Sequence, residues 1–159
     1  MRTTNLLEWS RRGRFARVWD LSDGGRRVAT LRYRANLPPT IEVLGAEDMP
    51  WRWVRHWASS DLRRGDDAEP VLRYLPGFVD GRIARGRGSA PLRVHPSFWR
   101  YEWTITDAEG APLVRAVRGL WSCSRGSIEI TEAGARLPDV EALCYLGWIM
   151  GVRWRRHVH

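Results

Sequence analysis

Residues 137–154 read LPDVEALCYLGWIMGVRW, and within them Ala142 to Val152 is an unbroken apolar run. A helix built from that run has no polar face, and such a helix is enclosed on every side. Its ends carry the matching signals. Pro138 suits the first helical position, Asp139 and Glu141 favour the positive end of the helix dipole, and Arg153, Arg155 and Arg156 favour the negative end. The pattern predicts a central helix over 138–153. A bilayer span is the rival, and length decides against it: 11 apolar residues rise about 16 Å, while the hydrocarbon core is about 30 Å thick. Gly147 and Gly151 form a GxxxG pair, read here as two small residues that let the helix lie close to whatever surrounds it.

Upstream of the helix the chain reads as strand and turn. Phe15 to Leu21 alternates, with Phe15, Arg17, Trp19 and Leu21 on one side and Ala16, Val18 and Asp20 on the other. Ser22-Asp23-Gly24-Gly25 supplies the positive φ of a tight turn, and Arg26 to Ala35 resumes the extended pattern. After Pro38-Pro39, Thr40 to Leu44 is a short strand. Met49 to Trp57 then sets Trp51, Trp53, Arg55 and Trp57 on one face, a stripe read as packing. Ser59 to Glu69 is polar and acidic and reads as a loop. Val71 to Leu75 and Phe78 to Ala84 are brief strands around Pro76-Gly77, and a Gly and Arg tract, Gly81 to Ser89, leads into Pro91 to His95. From Ser97 to Thr106, Trp99, Tyr101, Trp103 and Ile105 alternate with Phe98, Arg100, Glu102 and Thr104. Asp107 to Gly110 turns the chain into Leu113 to Trp121, and Ser127 to Thr131 is the last strand.

Many short strands with no helix between them exclude a parallel α/β sheet and favour a sandwich or barrel. A helix without a wet face has to go inside, and a closed barrel is the container that also removes sheet edges. The expected fold is therefore mainly β, a closed antiparallel β-barrel of about 12 strands enclosing a hydrophobic C-terminal α-helix. The expected division is a polar lead over 1–13, one barrel domain over 14–154 and a basic tail over 155–159.

A chain of 159 residues is long enough for one domain with a core of its own. The net charge of +8 suggests nucleic acid, but all 26 basic residues are arginine and glutamine is absent, which points to a coding bias and weakens arginine number as a sign of function. Cys123 and Cys144 read as reduced thiols. MRTTNLLEWSRR lacks the apolar core of a secretory signal. The expectation is a cytoplasmic protein, at the inner face of a membrane where lipid is the partner.

Catalytic constellations are missing. Ser122-Cys123-Ser124 reads as a turn with no neighbouring base, and His157-Val158-His159 has no cluster to complete a metal site. Neither a metal nor a cofactor is expected. The best binding candidates are Arg82, Arg85 and Arg87, interleaved with Gly81, Gly86 and Gly88. Guanidinium forks match phosphate oxygens, and glycine lets backbone amides approach an anion. Arg100, between Trp99 and Tyr101, is the fourth candidate for anion or lipid binding. No strand-to-helix junction follows the glycines, so they are not a nucleotide fingerprint.

In order and texture the chain resembles the tubby C-terminal-like superfamily, which includes the LURP-one-related proteins and the phospholipid scramblases. The likeness rests on the meander, the late hairpin SFWRYEWTITDAEGAPLVRAVR over 97–118, one more strand and a hydrophobic C-terminal helix. It runs from Phe15 to Trp154 and implies a non-catalytic barrel whose last helix threads its centre, with anionic lipid or a protein at the membrane surface as partner. No motif carries the family's lipid contacts onto particular residues here. Two alternatives stay open. Trp51-Arg52-Trp53 and Trp99-Arg100-Tyr101 place arginine beside aromatics, as nucleic-acid binders do. A polar pocket at the barrel mouth holding His56 or His95 beside a carboxylate would instead mark an enzyme or small-ligand binder.

Overall fold

The computed structural model describes residues 6–35, 40–97, 99–119 and 124–153. Twelve antiparallel strands close into a barrel. The first six are β1 (Leu6–Arg11), β2 (Val18–Asp23), β3 (Arg26–Arg34), β4 (Thr40–Leu44), β5 (Trp51–Arg55) and β6 (Ser60–Arg64). They are followed by β7 (Leu72–Leu75), β8 (Gly81–Ala84), β9 (Leu92–Ser97), β10 (Glu102–Thr106), β11 (Pro112–Arg118) and β12 (Arg125–Ile130). Each strand pairs with its sequence neighbours, and β1 closes the ring on β12. A short helix α1 (Glu132–Ala135) crosses one end, and α2 (Val140–Arg153) runs up the interior. Loops alternate between two ends: a base, where α2 begins, and a mouth, where it finishes.

The apolar run behaves as its pattern requires, since every residue from Ala142 to Val152 is buried. Around it, the inward phase of each strand contributes one or two large side chains, among them Leu21, Leu31, Val43, Leu62, Ile83, Ile105 and Ile128. A barrel of twelve strands is wider than one helix. The helix therefore lies off-centre, and tryptophans fill the remainder. On the near side a Cβ at Gly147 would stand 3.4 Å from Cβ of Ala116 on β11. On the far side Trp51 meets Tyr145 edge-on at 5.6 Å, beside the enclosed Trp53.

Residues 1–13 are not merely a polar lead. Leu6–Arg11 is the closing strand, with Trp9 turned inward and Glu8 and Ser10 outward. Two inward residues, the half-buried Leu7 and Trp9, among polar neighbours carry too little periodicity to read as a strand. Its indole is wedged between β12 and α2: a Cβ at Gly151 would lie 2.8 Å from the ring, and one at Gly126 would overlap it. Ser59 to Glu69 likewise holds a strand, β6, with Leu62 inward and charged residues outward. The stretch from Ser97 to Thr106 is broken: β9 ends at Ser97, β10 begins at Glu102, and only Trp103 and Ile105 of the expected stripe face the core. Phe78 and Val79 lie in the loop before β8, not in a strand. Cys123, Pro38, Pro39 and the tail 155–159 lie outside the described residues.

At the base Thr131 caps α1, accepting from the Gly134 amide at 3.0 Å while donating to the Pro112 carbonyl at 2.8 Å. Cys144 is a free thiol facing the wall, and burial, with the Glu141 charge behind it, pushes its pKa up to about 12. Thiol reagents act on the thiolate. Labelling of Cys144 in folded protein at pH 8 is therefore expected to be slow and to accelerate only where urea unfolds the barrel, as stopped labelling and mass spectrometry would record. Trp9→Ala is expected to cost about 3–5 kcal/mol in urea unfolding, and Gly151→Val about 1–3 kcal/mol by overpacking against the same indole.

Candidate binding surface at the barrel mouth

The four arginines singled out by sequence do not form one site. Arg85 is internal to the fold: its Nε and Nη2 each donate to Asp139 at 2.7 Å, its side chain is 8% exposed, and the pair ties the end of β8 to the start of α2. Arg87 sits in the β8–β9 hairpin at the base. Arg82 is exposed on the outer wall, opposite Leu75 and Arg93. Arg100 alone reaches the mouth, in the β9–β10 loop. An alternating Gly and Arg tract looks convergent in sequence, but a strand and a hairpin send its members to different places.

What does converge is a set of aromatics. Phe15 is 86% exposed, Trp99 is 94% exposed, and Trp57 and Phe78 are fully exposed. They lie in four different loops, β1–β2, β5–β6, β7–β8 and β9–β10, and all four loops are at the mouth. Arginines stand among them. The Arg14 guanidinium lies 5.7 Å from the Phe15 ring, and Arg55 and Arg100 have no carboxylate partner among the described residues. The β9–β10 loop is held in a fixed shape. Tyr101 has φ +51, a left-handed conformation unusual for a tyrosine. Its ring is covered by Arg118 at 4.7 Å, and the Arg118 amide donates to its carbonyl at 2.9 Å.

The base is charged the opposite way. Its loops carry Glu47, Asp48, Asp66, Asp67, Glu69, Asp107 and Glu109 against Arg85 and Arg87, whereas the sole acid of the mouth loops is Asp80. Asp80 Oδ1 is 3.1 Å from His95 Nδ1, whose Nε2 contacts Thr106 Oγ1 at 3.0 Å. A chain that is basic overall is thus strongly polarised along the barrel axis.

A cluster absent from the sequence reading centres on Asp61 of β6. It points outward, yet its side chain is wholly covered. Arg73 Nε and Nη2 donate to it at 2.7 and 3.2 Å, Arg63 Nη2 at 3.0 Å, and His56 Nε2 lies at 2.9 Å. Burial alone would raise the carboxyl, but the hydrogen bonds from Arg73, Arg63 and His56 outweigh it and hold the group well below the usual carboxylate range. A histidine does meet a carboxylate here, as an enzyme would need. That carboxylate is occupied by two guanidinium groups, which leaves it a weak base and makes the cluster a clamp across β5, β6 and β7.

Two hollows accompany these features. One of about 230 Å³ opens at the mouth between β5–β7, β10 and the end of α2. A broader one of about 670 Å³ lies on the outer wall along β3, bordered by Arg26, Arg27, Arg32 and Arg12, the last already paired with Asp20 at 2.8 Å.

The Asp61 clamp has a defined pH signature. Its folded pKa lies below the unfolded value of about 3.9, so its contribution is complete above about pH 5 and is lost as pH falls through the folded value. Asp61→Asn is expected to cost about 1–3 kcal/mol at pH 7, nearer the lower figure because the three cations are partly in water. The gap from the parent protein should narrow in urea titrations at pH 3 and below.

Among the described residues no three His, Cys, Asp or Glu side chains group as metal ligands, and no helix is long and apolar enough to cross a membrane. Comparison of the chain with protein-family models, with curated proteins and with solved structures returned no match.

Proposed function

We propose that the chain is a non-catalytic binding module that docks on anionic membrane surfaces through the barrel mouth. One observation carries this: four exposed aromatics on four separate loops share one end with arginines that have no carboxylate partner among the described residues, while the acidic loops gather at the other. Aromatic rings settle at the level of lipid headgroups. Each arginine near an anionic leaflet adds about 1 kcal/mol of attraction. The acids at the base are then held away from the lipid phosphates, so charge orients the molecule before the rings insert. The cytoplasmic leaflet is the anionic one, which agrees with a cytoplasmic protein at an inner membrane face.

A closed barrel threaded by its last helix is also the architecture that the resemblance to the tubby-like superfamily implies, and it supports membership and a non-catalytic role. Nucleic-acid binding loses one of its two motifs, because Trp51 and Trp53 face the core and offer no ring for a base to stack on.

Flotation with phosphatidylcholine vesicles, with and without phosphatidylserine, tests the docking. Recovery is expected with the anionic vesicles and to fall as salt rises. Removing two inserted rings in Trp57→Ala/Phe78→Ala should weaken partitioning by at least about tenfold. Equal recovery on neutral vesicles, or an unchanged double variant, counts against it.

A further inference from the structure

The hollow of about 230 Å³ at the mouth exists because α2 lies against β10–β12 and leaves the opposite side to large rings. Its walls are mainly apolar, formed by Trp53, Tyr74, Trp103, Ile149 and Met150, with Ser59 and Ser60 on the β5–β6 side. Its rim is cationic. Arg55 continues the inward phase of Trp51 and Trp53 past the last enclosed layer, and Arg153 lies over the Trp53 ring at 5.7 Å. His56 also lines the hollow, and the carboxylate it touches, Asp61, is engaged by Arg63 and Arg73 as well.

Among the described residues the buried indole N–H of Trp53 has no acceptor, and neither do those of Trp9 and Trp148. The arrangement sets an apolar chamber and two guanidinium groups at a single opening.

We propose that this hollow binds a single-chain anionic amphiphile, its apolar chain against Ile149 and Met150 and its acid group at Arg55 and Arg153. The volume equals that of roughly eight waters in liquid packing, so it fits a chain of about six to eight carbons. A fatty-acid carboxylate and a lysophospholipid phosphate share this chemistry. The site shares Arg55 and Trp57 with the membrane-docking surface, but it is read with free amphiphile and no bilayer, so either can fail without the other.

Intact protein is titrated with hexanoate, octanoate, decanoate, octanol, octylamine and an octanoyl lysophosphatidate, followed by tryptophan fluorescence and calorimetry. Affinity is expected to rise about fourfold per methylene up to octanoate and then to level off. Octanol and octylamine should bind at least tenfold more weakly than octanoate. Arg55→Gln, at an exposed position, should weaken octanoate by about tenfold or more, and Met150→Trp should abolish saturable binding by filling the chamber. If Met150→Trp does not fold, Arg55→Gln and the chain-length series still decide. Tighter binding of the lysophosphatidate than of octanoate identifies a phosphate head, and the reverse a carboxylate; both uphold the class. Octanol or octylamine binding as well as octanoate, or no saturable signal with any acid, overturns it.

Discussion

The close approach of α2 to one wall is the constraint from which the remaining packing follows. Gly147 against Ala116 and Gly151 against Trp9 bring the helix backbone near β11 and β1. A ring of twelve strands cannot be filled symmetrically by one helix, so what is gained on that side has to be made up on the other. Trp51 and Trp53 of β5, with Tyr145 of the helix itself, make it up with large rings. Flat rings fill a wide gap imperfectly, and the hollow at the mouth is the remainder.

The arginines divide by the same logic. Arg85 is consumed by Asp139, Arg63 and Arg73 by Asp61, and Arg115 by Glu102 at 2.9 Å. These pairs stitch neighbouring strands on the outer wall or fasten the wall to the helix. Much of the positive charge is therefore structural. Of what it leaves over, Arg14, Arg55 and Arg100 fall among exposed rings at one end, while Arg26, Arg27, Arg32, Arg82 and Arg93 lie along the wall and Arg87 at the base; the acids gathered in the opposite loops are what give the barrel a direction.

How far the sequence disclosed all this depends on how much of each element faces inward. The eleven apolar residues of α2 bury completely, so both the helix and its enclosure were legible, and the hairpin about Gly24-Gly25 was marked by its turn. β1 and β6 were not, because β1 turns only Leu7 and Trp9 inward and β6 only Leu62, and they are clothed outside with Glu8, Ser10, Asp61 and Arg63. The mouth was hidden for another reason. Trp57 and Trp99 continue the alternation of real strands, and nothing local reveals that the chain leaves the sheet just before them. Convergence of four loops is a property of the closed ring, visible only once β1 meets β12. The Gly and Arg tract misled in the converse way, since adjacency along the chain did not become adjacency in space.

The position of the core within the chain has one more consequence. The helix that occupies the barrel is made after all twelve strands, and the first strand finds its second partner only in the last. During synthesis the growing meander has two open edges and an unoccupied apolar lining, and neither can be covered until the final segment has emerged. Such pairings, distant along the chain, are slow to form and exposed to aggregation while they wait. Closure has to wait for β12 and α2, and until both are made the cell has to shelter a sheet whose filling is missing.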